Sequence, residues 1–145
     1  MPTVFRLALL SLVFGLYGCS RYDLLLNDNL VWQAQPLFDH YEVEDPALQN
    51  CLAATIEAKQ IRQATGLTEL NCRQAGIKSL AGLEQFSRLE QLYLAGNPLQ
   101  QIEAIYQLVN LEVLELEQTS SLVCSQRQRL EALSISRLQI GAACN

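Results

Sequence analysis

The chain has 145 residues, 50% of them apolar and 17% charged, with a formal net charge of −5. That length suits one ordinary domain plus a targeting segment, and the composition suits a packed core, not a disordered chain. The negative sign, with no run of Lys and Arg to offset it, argues against a phosphate-backbone ligand, so no nucleic-acid partner is expected.

Met1 to Arg6 carry one positive charge, and an apolar run follows from Leu7 to Leu16. The run is about half the length a helix needs to cross a bilayer, and it fits the apolar core of a secretory signal. It ends in Leu16-Tyr17-Gly18-Cys19, which resembles the lipobox of bacterial lipoproteins. That resemblance implies a signal peptide over 1–18 and a new N-terminus at Cys19, whose thiol is the soft nucleophile that takes up lipid. It further implies a membrane partner through a lipid anchor at Cys19 and a place in the bacterial cell envelope. If the envelope is of the two-membrane kind, Ser20 after the cysteine, not an Asp, resembles the outer-membrane sorting pattern. Loss of Arg6 with the leader would take the net charge from −5 to −6. The competing reading is an ordinary secretory signal with Cys19 as a bystander.

Residues 19–45 form an expected lipidated N-terminus and lead-in. Leu24-Leu25-Leu26, Leu30-Val31-Trp32 and Leu37-Phe38 are too apolar to be left in water, so the segment is expected to pack on the cap that comes after it in the chain. His40 is the single histidine, and Asp39 beside it invites a catalytic reading. No nucleophile with a recognisable motif accompanies it, so no catalytic residue, enzyme activity or small-molecule substrate is expected. The five cysteines are widely spaced without a C-x-x-C pair, so neither a metal site nor a cofactor is expected.

Asp45-Pro46 reads as an N-cap residue followed by proline at the first helical position. Ala47, Leu48, Cys51, Leu52, Thr55 and Ile56 then follow at helical spacing, predicting an amphipathic helix over roughly 46–60 within a helical N-terminal cap at 46–66.

The span 67–123 repeats itself. Leu67, Leu89 and Leu111 open units at a constant 22-residue step. The first unit continues through Leu70, Cys72, Ile77, Leu80, Leu83 and Phe86, and the second through Leu92, Leu94, Leu99, Ile102, Ile105 and Leu108. The third keeps only Leu114 and Leu116. A period of two across Leu92 and Leu94 predicts a strand with one buried face, and a period of three from Leu99 to Leu108 predicts a 3₁₀-like return. This pattern resembles the leucine-rich repeats of bacterial proteins, in the short class typified by the internalins. The resemblance implies an α/β solenoid: a short leucine-rich repeat with parallel strands, a helical N-terminal cap and disulfide-stapled ends. The family's asparagine slot is filled only by Asn97, since Ala75 and Thr119 stand at the equivalent places.

One repeat cannot stand alone. Its seven large apolar side chains are worth a gross ~10–20 kcal/mol. Ordering its backbone costs ~1–2 kcal/mol per residue. Caps are therefore required. At the far end, 124–145 is expected to form a C-terminal cap, with a degenerate last strand within Leu133 to Ile140. Four cysteines besides Cys19 allow three pairings, or four free thiols. Position favours Cys51–Cys72 at the first end and Cys124–Cys144 at the last, each closing a loop worth ~3 kcal/mol.

In such a repeat, residues between the inward leucines face out from the strands in rows. The first row is Glu69, Gln91 and Val113; the second is Asn71, Tyr93 and Glu115; the third is Arg73, Ala95 and Glu117. Tyr93 would stand exposed at the centre as a binding anchor, with Glu112, Glu115 and Glu117 as solvated or concave-face charges. The expected function is a membrane-anchored envelope lipoprotein that binds an unidentified protein through this face. The alternative is a structural envelope accessory with no specific partner.

Overall fold

The computed structural model of the chain describes residues 24–26, 29–32, 35–118 and 123–141. The chain divides into two compact units, 1–35 and 36–145. In the first, β1 (Leu24–Leu26) pairs antiparallel with β2 (Asn29–Trp32). The expected 19–45 lead-in is thus divided between the two units.

The second unit begins by building its own end. Leu37, Phe38, Tyr41 and Val43 pack against the core. Phe38 and Tyr41 both meet buried Phe86, with ring centroids 6.1 and 5.9 Å away. The backbone of residues 42–43 crosses so closely over Gly82, itself at φ +93°, that a Cβ there would lie 2.1 Å from the Glu42 carbonyl oxygen. Helix α1 (Pro46–Ala58) follows, and its buried Leu48, Leu52 and Ile56 recur every four residues along one face. It stops two residues short of the expected end because Gln60 turns left-handed at φ 52°. The amides of Gln60 and Ile61 then close on Glu57 O and Ile56 O, which satisfies carbonyls the helix end leaves open.

Four parallel strands form the sheet, in chain order: β3 (Glu69–Asn71), β4 (Gln91–Tyr93), β5 (Val113–Leu116) and β6 (Arg137–Ile140). Leu70, Leu92 and Leu114 stand in register across the first three, and Leu138 continues the row. The first three are fully buried; Leu138 is half-buried. Each pairing among β3, β4 and β5 joins residues 22 positions apart, as Glu69 with Gln91 and Gln91 with Val113. The chain returns through 3₁₀ turns at Leu83–Gln85, which buries Leu83, and Glu103–Gln107, which buries Ala104 and Ile105. After each strand it turns left-handed at one equivalent place: Gln74 (φ 53°), Gly96 (φ 73°) and Gln118 (φ 57°). Glycine adopts that conformation freely, whereas glutamine is strained there by about 1 kcal/mol.

The last strand lies inside the expected stretch, but an unexpected helix precedes it. Helix α2 (Cys124–Glu131) buries only Leu130, and Arg129 covers the ring of Tyr106 at 4.1 Å. The expected Cys51–Cys72 disulfide is present and ties α1 to the chain leaving β3. Cys124 also sits in a disulfide, with its partner outside the described residues.

Among the described residues, two polar side chains are buried, Asp45 and Asn97. One oxygen of Asp45 caps α1, accepting from the amides of Ala47 (2.8 Å) and Leu48 (3.1 Å). The other reaches 33 and 34 residues along the chain, accepting from Lys78 N (2.7 Å) and Ser79 N (3.0 Å). Burial pushes its carboxyl pKa up, but the four amides outweigh it and leave the group below the ordinary 3.8. A carboxylate depressed in the folded state contributes stability that is complete above its unfolded pKa and is lost as pH falls through the folded one. Asp45→Ala is therefore expected to lower the unfolding free energy by ~2–4 kcal/mol in urea melts, from the lost cap and two orphaned amides. It should also flatten the loss of stability that the native chain shows in acid. A change within ~0.5 kcal/mol, the size of a neutral surface substitution, would contradict this role.

Candidate protein-binding face

Strand alternation sends Leu70, Leu92 and Leu114 inward and their neighbours outward. The structure brings all the expected face residues together. Glu69, Gln91 and Val113 pair as one row, which Arg137 extends; Asn71, Tyr93 and Glu115 pair as the next, which Gln139 extends. Amides beyond the strand ends continue the ladder, Leu94 N bonding Glu115 O and Gly96 N bonding Glu117 O, so Arg73, Ala95 and Glu117 follow in line. The sequence signal for the extra positions, Arg137 and Gln139, is their alternation with Leu138 and Ile140.

The chemistry of the face differs from the expectation in one respect. Tyr93 does not stand open at its centre. The Arg73 guanidinium lies over its ring, 4.5 Å from the centroid. From there it reaches Glu115 on the next strand with two parallel bonds, Nε to Oε1 at 2.7 Å and Nη2 to Oε2 at 2.6 Å. The geometry is the side-on fork that guanidinium and carboxylate favour. The Glu115 side chain is 13% exposed, against 42% for Arg73. The hydrogen bond from Arg73 holds the Glu115 carboxyl below its ordinary range against the opposing effect of burial. The same bond raises the Arg73 pKa. No local spacing announces this clamp, because its partners are 42 residues apart and enclose a third residue between them.

Other face groups are satisfied in the same way. The Tyr93 hydroxyl donates to Gln91 Oε1 at 2.8 Å, and Lys59 at the end of α1 reaches Glu69 at 2.7 Å. Asn71, Gln139 and Arg137 are exposed.

No family model matches the chain, and no curated protein matches it.

His40 lies on the surface of the 36–145 unit with its side chain 93% exposed, Nδ1 being 2.6 Å from Asp39 Oδ1. The hollow beside it is lined by carboxylates, Tyr41, Gly82 and Gln85, without a hydroxyl or thiol nucleophile of the serine or cysteine kind. Among the described residues, no cluster of three or more His, Cys, Asp or Glu could hold a metal ion, and no helix is long and apolar enough to cross a membrane. The leader, the expected lipidation site Cys19 and the expected staple partner Cys144 lie outside the described residues.

The clamp makes a measurable claim. In a carboxyl-carbon NMR titration, Glu115 is expected to titrate below an ordinary glutamate, and Arg73→Ala should return it upward. A native midpoint at the ordinary value would show that the pair does not persist in solution.

Proposed function

We propose that this chain is a lipid-anchored protein of the bacterial cell envelope whose repeats form a short leucine-rich-repeat solenoid, and that its outward strand face binds another protein. The observation that carries the repeat reading is the equal register: residues 22 apart pair across β3, β4 and β5, the same step at which Leu67, Leu89 and Leu111 recur. Stacked units of that period set equivalent side chains side by side, and such rows are how repeat proteins present a surface. The anchor reading rests on Leu16-Tyr17-Gly18-Cys19. It is supported by Cys51–Cys72 and the bonded Cys124, since disulfides persist in oxidising compartments. Pairing Cys124 with Cys144 staples the last strand and leaves Cys19 for lipid. Outer-membrane placement follows from Ser20.

A second reading, a structural accessory without a specific partner, is favoured by the clamp itself. Arg73, Glu115, Lys59, Glu69 and the Tyr93 hydroxyl already have partners within the chain. A binding partner must therefore use the clamp as it stands and add contacts at Asn71, Gln139 and Arg137.

The two readings separate in cells. Labelled fatty acid is expected on the wild type and not on Cys19→Ala; label on neither removes the anchor. A photo-crosslinking residue at exposed Asn71 is expected to give one discrete adduct that is missing when the probe sits at Gln107, on the return turn. No adduct at Asn71 under good expression would favour the accessory.

A further inference from the structure

We infer that the β1–β2 hairpin is a membrane-surface element that lies in the bilayer interface beside the lipid anchor; the inference rests on the anchor reading above. Leu24–Leu26 and Asn29–Trp32 are paired antiparallel, with Leu25 opposite Leu30 and Leu24 opposite Trp32. Successive strand residues belong to opposite faces of a ribbon. The pairing slips between Leu24 and Leu25, so the alternation is broken there; six of the seven strand residues are large and apolar, Asn29 being the exception. Two strands so short are not stable in water by themselves.

The hairpin belongs to the 1–35 unit, of which removal of a leader would leave only residues 19–35. The 36–145 unit meanwhile closes its own core, using Leu37, Phe38, Tyr41 and Val43 at the end that α1 covers. The bilayer is the occupant favoured by chain position. Leu24 follows Cys19 by five residues, which span at most ~18 Å when extended. Acyl chains on Cys19 would hold the hairpin within that reach of the lipid, at an effective concentration no free partner matches. Composition agrees: the two strands contain no charged residue, and Trp32 is the residue type that gathers at membrane interfaces. The outer edges of a two-stranded ribbon keep unpaired backbone groups, so the depth is that of the headgroups and not the hydrocarbon centre.

Trp32 is the single tryptophan of the chain, so its emission reports on this element alone. The experiment takes the mature acylated protein in phosphatidylcholine–phosphatidylglycerol vesicles whose acyl chains carry bromine. The expected result is a blue-shifted and strongly quenched Trp32. Leu25→Asp combined with Leu30→Asp should restore the emission while the protein still floats with the vesicles and keeps its circular dichroism. Unquenched Trp32 in native protein that floats would overturn the inference and place the hairpin against protein instead. Failure to float would overturn the anchor reading first, and this inference with it.

Discussion

The backbone amides of residues 75–79 are the constraint on which the rest of the structure depends. Here the chain leaves β3 and turns so that Ile77 enters the core, where an unpaired buried amide costs ~1–3 kcal/mol. Two buried side chains from opposite directions supply the acceptors. Asn97, from the next repeat, takes Ala75 N and Ile77 N on its oxygen, while its amide donates to Cys72 O and Leu94 O. Asp45, from the cap, takes Lys78 N and Ser79 N while holding α1 with its other oxygen. The segment is thus fixed between its two neighbours. The Cys51–Cys72 disulfide closes the same junction covalently.

This explains how so few repeats stand. The first unit has Ala75 where the second has Asn97, and the cap holds the first unit through Asp45, with one oxygen on α1 and the other on Lys78 N and Ser79 N. The C-terminal end is built differently: α2 and a half-buried Leu138 replace a full repeat, and the pairing step lengthens from 22 to 24 residues at β6, as Val113 pairs with Arg137. On the outward face, opposite charges meet within the chain, so the surface presents a fixed Arg73–Tyr93–Glu115 unit framed by amides.

What could be read in the sequence was what repeats or lies close in the chain. The inward leucines, α1 with its Asp45-Pro46 start, the 3₁₀ returns, the last strand and Cys51–Cys72 all follow from period and position. The second role of Asp45 did not, since an N-cap residue carries no mark of an amide 33 residues away. Helix α2 was hidden because Cys-Ser-Gln-Arg-Gln-Arg-Leu-Glu has a single buried apolar residue and so no hydrophobic period. Gln74 and Gln118 take the left-handed place that Gly96 takes, but glutamine gives no conformational signal. Glu69, Gln91 and Val113 pair across the strands, as do Asn71, Tyr93 and Glu115, which is what alternation with the inward leucines predicts. The side-chain bonds of the face were not legible, because they depend on side-chain reach across strands.

The most direct test of this account is native-state hydrogen exchange at four amides: Ala75, Ile77, Lys78 and Ser79. If Asn97 and Asp45 hold them, all four exchange only through openings close to global unfolding, and Asp45→Ala releases Lys78 and Ser79 selectively. Fast exchange at these amides in the native protein would contradict the account, since it would place the stability of the junction elsewhere.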